Sequence, residues 1–264
     1  MTAESTGQGV RRMCLAFDLE QYSAGSDADQ IEKQRAMMSM VRAACERGAL
    51  ERAHWLTQGQ GDGELAVLPP GIDEARVIMA LWREFREGLY GYNHRASAGA
   101  RLRMRIAVHE GVVYIGENGF AGTAINTVCR LRDCHEAKDA LRATEGDLVL
   151  IVSERIFHDV IHGYETLDLP AQAFVKTPVD IPDKDFRAVA YIFSGDAARR
   201  DQPAGVTPAE DAPGPDRGAP DKRGQGDRAQ SDKAAGGSIV ISGANPTMRD
   251  VVTGVVHHHY EDRP

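Results

Sequence analysis

The sequence predicts an α+β domain followed by a disordered linker and a short tail. Three observations carry this reading. Apolar runs at strand spacing alternate with longer stretches at helical spacing between Arg12 and Phe193. The front of that series has the split β-α-β-β-α-β order. From Gly195 to Gly237 the only large aliphatic or aromatic residue is Val206, so that stretch cannot bury a core. The 264 residues thus divide into a flexible N-terminus (1–10), a folded domain (11–194), a disordered linker (195–237) and a β-prone tail (238–264).

Arg12 to Asp18 is a short apolar run ending in an acid, as expected of a buried strand. Asp27 to Gly48 reads as a helix with Ile31, Met38, Val41 and Cys45 on one face and Gly48 as its stop. His54 to Gln58 and Glu64 to Leu68 are strands around a hairpin, Gly59-Gln-Gly-Asp-Gly63, closed by Pro69-Pro70-Gly71. Asp73 to Asn93 is a second helix, with Ile78, Leu81, Phe85 and Leu89 in one stripe. Leu102, Met104, Ile106 and Val108 alternate with Arg101, Arg103, Arg105 and Ala107, the clearest strand pattern in the chain. Gly111 is expected to turn this strand into Val112–Ile115. A helix from Ala121 to Ala137, a strand at Leu148–Val152, a short helix at Ser153–Val160 and late strands at Phe174–Lys176 and Ala188–Phe193 complete the domain.

Composition excludes several classes. No run of 18 apolar residues exists, and MTAESTGQGVRR has no apolar signal region, so a cytoplasmic protein without a membrane span is expected. The net charge of −8 argues against binding a nucleic-acid polymer through a basic surface. Cys14, Cys45, Cys129 and Cys134 show no paired spacing and read as reduced thiols.

Asp18 ends the first strand and Asp62 sits at the hairpin tip. If the hairpin's first strand lies beside strand one, the two carboxylates converge. Such a pair suits Mg²⁺ or Mn²⁺, which prefer hard oxygen ligands; the competing reading is a Gly-Asp-Gly turn. Asn126 and Arg130, at i and i+4, share a helix face and suit an oxygen-rich, negatively charged group, or else form an ordinary helix surface. Lys176 is a phosphate contact or an edge-strand lysine.

Together these residues resemble the class III nucleotide cyclase catalytic domain of adenylate and guanylate cyclases, over residues 11–193. The matching stretches are Asp18-Leu-Glu-Gln-Tyr-Ser23, Gly61-Asp62, Leu102-Arg-Met-Arg-Ile-Ala-Val-His-Glu-Gly111 and Gly122-Thr-Ala-Ile-Asn126-Thr-Val-Cys-Arg130-Leu131, with Lys176 in the place of a late triphosphate-binding lysine. The resemblance implies a ferredoxin-like split β-α-β core with a mixed sheet. It implies two Mg²⁺ or Mn²⁺ ions on Asp18, Asp62 and the Leu19 carbonyl, with Tyr22 and Ser23 beside the nucleotide. Asn126 would position the ribose, Arg130 the α-phosphoryl group and Lys176 the terminal phosphates. It further implies a nucleoside triphosphate substrate, a 3′,5′-cyclic product and a head-to-tail homodimer whose two chains share each site. The alternative is a cyclase-fold module that binds nucleotide or dimerises without turnover.

The sequence departs from that pattern in three places. Gln58 occupies the base-reading position that holds lysine or glutamate in adenylate and guanylate cyclases, and Gly119, followed by Phe120, replaces a second base-reading acid. Gln21 replaces a glycine of the phosphate loop. Neither purine signature is present, which leaves pyrimidine cyclases of bacterial antiphage signalling open. The domain looks most like cyclase-type domains of actinobacteria. In the tail, Ser238–Gly243 and Val251–Val256 with His257, His258 and His259 resemble amyloid-type signalling motifs and suggest a protein partner.

Overall fold

The structure is a computed structural model that describes residues 7–96, 100–163 and 168–195. The chain divides into two units, Met1–Thr207 and Pro208–Pro264, and every described residue falls in the first. The linker beyond Gly195 and the tail lie outside the described residues.

The element order is β1 (Val10–Leu19), α1 (Asp27–Arg47), β2 (Leu56–Gly59), β3 (Gly63–Val67), α2 (Glu74–Asn93), β4 (Met104–Gly116), β5 (Gly119–Ala121), α3 (Thr123–Asp133), α4 (His135–Ala143), β6 (Leu148–Ser153), a short α5 (Glu154–Ile156), β7 (Val175–Ile181) and β8 (Phe186–Phe193). The sheet runs β2-β3-β1-β4-β6-β8-β7, with β5 paired to β4 alone. Only β4 and β6 pair in parallel; the other pairs are antiparallel.

The alternation of β1 sorts its side chains to two faces. Met13, Leu15, Phe17 and Leu19 pack under α1 and α2. Cys14 and Ala16 pack under α3 and α4, on the face that Asp18 shares. Each helix presents a matching stripe: Val77, Ile78, Leu81, Phe85 and Leu89 on α2, and Ala124, Ile125, Val128 and Leu131 on α3.

Several expectations need correction. It is β3, not β2, that lies beside β1. On α1 the buried residues are Lys33, Met37, Met40, Val41, Ala44 and Cys45, while Ile31 is 48% exposed. The left-handed residue after α1 is Ala49, not Gly48. Gly48 is required for space, since a Cβ there would lie 2.7 Å from Ala80 Cβ. Gly111 does not turn the chain. It lies inside β4, opposite Arg12, where a Cβ would meet Ala124 of α3 at 2.8 Å. The expected hairpin therefore forms later, between β4 and β5. The helix expected over 121–137 is broken at Cys134, whose ψ of 159° ends α3 and starts α4 in a new direction. Among the described residues no helix is long and apolar enough to cross a membrane, and all four cysteines are free.

Candidate functional site

Asp18 and Asp62 meet because of register. Asp18 pairs with Gly63 across β1 and β3, and the Leu19 N–H donates to the Asp62 carbonyl at 2.8 Å. Gly63 permits this approach: a Cβ there would sit 2.0 Å from the Phe17 carbonyl oxygen. On the opposite side Asp18 faces Arg105 of β4. The guanidinium grips the carboxylate with both Nε, at 3.0 Å, and Nη2. Both side chains are about 8% exposed. Burial pushes the Asp18 carboxyl up from its ordinary range, against the pull of Arg105.

Arg103, two residues before Arg105, lies on the same face. It donates to the carbonyls of Leu141, Thr144 and Gly146 at the end of α4 and pairs with Glu20 at 3.4 Å. Arg103 and Arg105 are thus both engaged cations on the face of the sheet that α3 and α4 cover.

A cavity of about 320 Å³ opens at this edge, lined by Asp18, Leu19, Glu20, Gln21, Tyr22, Ser23, Asp62, Arg105, Lys138 and Arg142. Five of the residues singled out in the sequence, Asp18, Leu19, Tyr22, Ser23 and Asp62, line this one space. The Asp62 carboxylate is half-buried and accepts no hydrogen bond among the described residues. The Tyr22 hydroxyl accepts a bond from Gln34 Nε2 at 2.9 Å, and the same amide donates to the Gly61 carbonyl at 2.7 Å. Gln34 of α1 therefore ties the hairpin tip to the loop after β1. Gln21 opens that loop with φ 54°, the left-handed region that glycine favours.

The other residues singled out lie elsewhere. Asn126 and Arg130 ride on α3, outside the cavity, and Arg130 sits 5.1 Å over the Phe186 ring with no ion pair among the described residues. Gln58 and Gly119 are neighbours: a Cβ on Gly119 would lie 3.4 Å from Gln58 Oε1. Gly119 has φ +101°, a backbone that a side chain opposes, so it leaves Gln58 as the polar group there. Phe120 packs on the core under α3.

Lys176 is not brought to the Asn126–Arg130 group. It pairs with Tyr191, whose side chain belongs to the α1–α2 face, and it contacts Glu154 at 3.5 Å. α3 lies on the opposite face, and β4, β6 and β8 separate β7 from β1, roughly 19 Å at the usual strand spacing. Lys184, in the β7–β8 turn, lies near enough to Cys129, the neighbour of Arg130, for its charge to act there. Lys184 carries no motif that marks it in the sequence. Arg105, Lys138, Arg142 and Gln34 were likewise missed, since only register or helix direction assigns them to the site.

The donor set bears on a metal. Asp62 offers an unengaged carboxylate. The Asp18 carboxylate has about four lone-pair positions, of which Arg105 takes two. Hard oxygens thus remain for Mg²⁺ or Mn²⁺, and the residues fit such an ion. Among the described residues no group of three His, Cys, Asp or Glu side chains forms a metal cluster; the carboxylates on this wall are Asp18, Asp62 and Glu20, the last held by Arg103.

Among solved structures the guanylyl cyclase Cya2 is similar to this chain, with a TM-score of 0.51 and 14% identity over 72% of this chain and 95% of that one. So is an adenylate/guanylate cyclase/hydrolase from Silicibacter pomeroyi, with a TM-score of 0.52 and 16% identity over 72% of this chain and 99% of that one. The fold is that of a nucleotide cyclase domain. No protein-family profile and no curated protein matches the sequence.

Proposed function

We propose that this cyclase-fold chain is a metal-dependent nucleotidyl cyclase that converts a nucleoside triphosphate to a 3′,5′-cyclic mononucleotide and pyrophosphate. The observation that carries the reading is the single cavity that joins Asp18, Asp62, Leu19 and the loop at Tyr22 and Ser23. Asp18, Asp62 and the Leu19 carbonyl would hold two Mg²⁺ or Mn²⁺ ions. When bound, these ions would acidify the ribose 3′-hydroxyl and neutralise the triphosphate.

The chain's own residues do the rest. The 3′-hydroxyl gives up its proton to solvent, its oxygen attacks the α-phosphorus in line, and the bond to pyrophosphate breaks as the new ester forms. Arg130 offers a guanidinium without an ionic competitor to the charge on the α-phosphoryl group. Asn126, exposed one turn before Arg130, holds the ribose. Lys184, in the β7–β8 turn near Cys129 of α3, takes the place of Lys176 as the lysine for the terminal phosphates. Because these three lie outside the carboxylate cavity, the reading requires a head-to-tail homodimer in which each chain completes the other's site.

The test is to incubate the full chain with ATP, GTP, CTP and UTP separately, with Mn²⁺, and to quantify cyclic products. Asp62→Ala should remove turnover while leaving the dimer and the circular dichroism spectrum unchanged. No product from any of the four triphosphates, with a dimer present, refutes the reading. A second reading, a nucleotide-binding module without turnover, draws on the engagement of Asp18 by Arg105. Binding of triphosphate without product would select it.

A further inference from the structure

Two cations on the cavity wall have no assigned work. Lys138 and Arg142, at i and i+4 on α4, face the space that holds Asp18 and Asp62. Their placement is built into the packing. Ala137 and Leu141, the residues just before them, are fully buried. Arg103 fastens the C-terminal end of α4 through the carbonyls of Leu141, Thr144 and Gly146. The helix therefore cannot roll Lys138 and Arg142 away from the cavity without exposing Ala137 and Leu141.

The charges in the cavity do not cancel locally. Asp18 is matched by Arg105 and Glu20 by Arg103. Lys138 has no ion pair among the described residues. Arg142 has only an exposed pair with Asp139 at 3.2 Å, a contact worth little. What remains is an unengaged carboxylate, Asp62, near the β1–β3 edge, and two available cations on α4. One side suits a metal ion and the other an anion with several oxygens. A polyphosphate bridging both matches this distribution, since charge-assisted bonds from Lys and Arg to phosphate are the strong ones.

We infer that Lys138 and Arg142 bind the β- and γ-phosphates of the triphosphate, and the leaving pyrophosphate, from the same chain that supplies Asp18 and Asp62. The inference rests on the cyclase reading for its substrate but not for its anion site. It makes each chain able to hold pyrophosphate before any partner residue is added. Arg103 acts here as a positioning residue, through α4.

The experiment titrates inorganic pyrophosphate with Mg²⁺ into the full chain by calorimetry. Lys138→Gln with Arg142→Gln should weaken binding roughly 100-fold, about 10-fold per cation. The charge-keeping pair Lys138→Arg with Arg142→Lys should retain most of the affinity, which separates a lost charge from a lost fold. The KM for the triphosphate should rise in parallel. Pyrophosphate affinity within twofold of the parent in the glutamine pair overturns the inference, as does a parent chain that binds no pyrophosphate. If the parent binds pyrophosphate through these residues yet makes no cyclic product, the anion site stands and the cyclase reading fails. If the parent cyclises and the glutamine pair keeps its KM and pyrophosphate affinity, the reverse holds.

Discussion

Removal of Arg105 tests the centre of the site. Its guanidinium and the Asp18 carboxylate are each about 8% exposed and are joined in a two-point contact. Arg105→Ala leaves a carboxylate buried between Ala16, Ala107 and Val149, which share its face of the sheet. Breaking a buried pair by deleting one partner costs roughly 3–5 kcal/mol. Arg132 still exerts an attraction on Asp18, which places the expected loss near the low end, about 3 kcal/mol. At ~2–4 °C per kcal/mol for a domain of this size, Tm should fall by about 6–12 °C. Urea unfolding followed by tryptophan fluorescence reads this directly, because Trp82 and Trp55 are both buried. The double change Asp18→Leu with Arg105→Met removes both charges and should stay within about 1 kcal/mol of the parent. The pH dependence supplies a second arm. Asp18 has a carboxyl raised by burial, and without Arg105 it rises further. A folded-state pKa above the unfolded one favours folding at low pH, so the single variant should regain stability relative to the parent as pH falls through that raised value. A single variant that loses less than about 1 kcal/mol, or a double variant as weak as the single, would refute the buried-pair argument.

Gly63→Ala should destabilise the domain by at least ~2 kcal/mol in the same assay, because its Cβ would meet the Phe17 carbonyl oxygen at 2.0 Å. Gln21→Gly should raise stability by up to about 1 kcal/mol by relieving the left-handed backbone at φ 54°. His109 is held down to about 4 by burial, and its Nδ1 has no hydrogen-bond partner among the described residues. Its contribution to stability is complete above pH 6.5 and is lost as pH falls toward 4, so His109→Gln should flatten the stability profile across that window. Gln58→Lys should raise kcat/KM for ATP, and Gln58→Glu for GTP, by roughly 10-fold relative to the other triphosphates; an unchanged ranking would show that Gln58 does not read the base.

The fold class and most of the elements were legible in the chain, because both rest on local periodicity; the split of α3 from α4 and the β4–β5 hairpin were not. The β4 alternation and the stripe on α2 are properties of adjacent residues. The sequence also brought Asp18 and Asp62 forward as a pair, since strand ends and hairpin tips are marked by glycine and by the end of an apolar run. Tertiary structure decided what pairing and direction control. Register set Arg105 opposite Asp18, and no local pattern carries register between strands far apart in the chain. A one-residue backbone change at Cys134 created α4 and turned Lys138 and Arg142 into the cavity. The alternation of β7 sent Lys176 to the face opposite α3, because successive strand residues project to opposite faces of the sheet, while Lys184 lies in the β7–β8 turn, which no strand alternation governs.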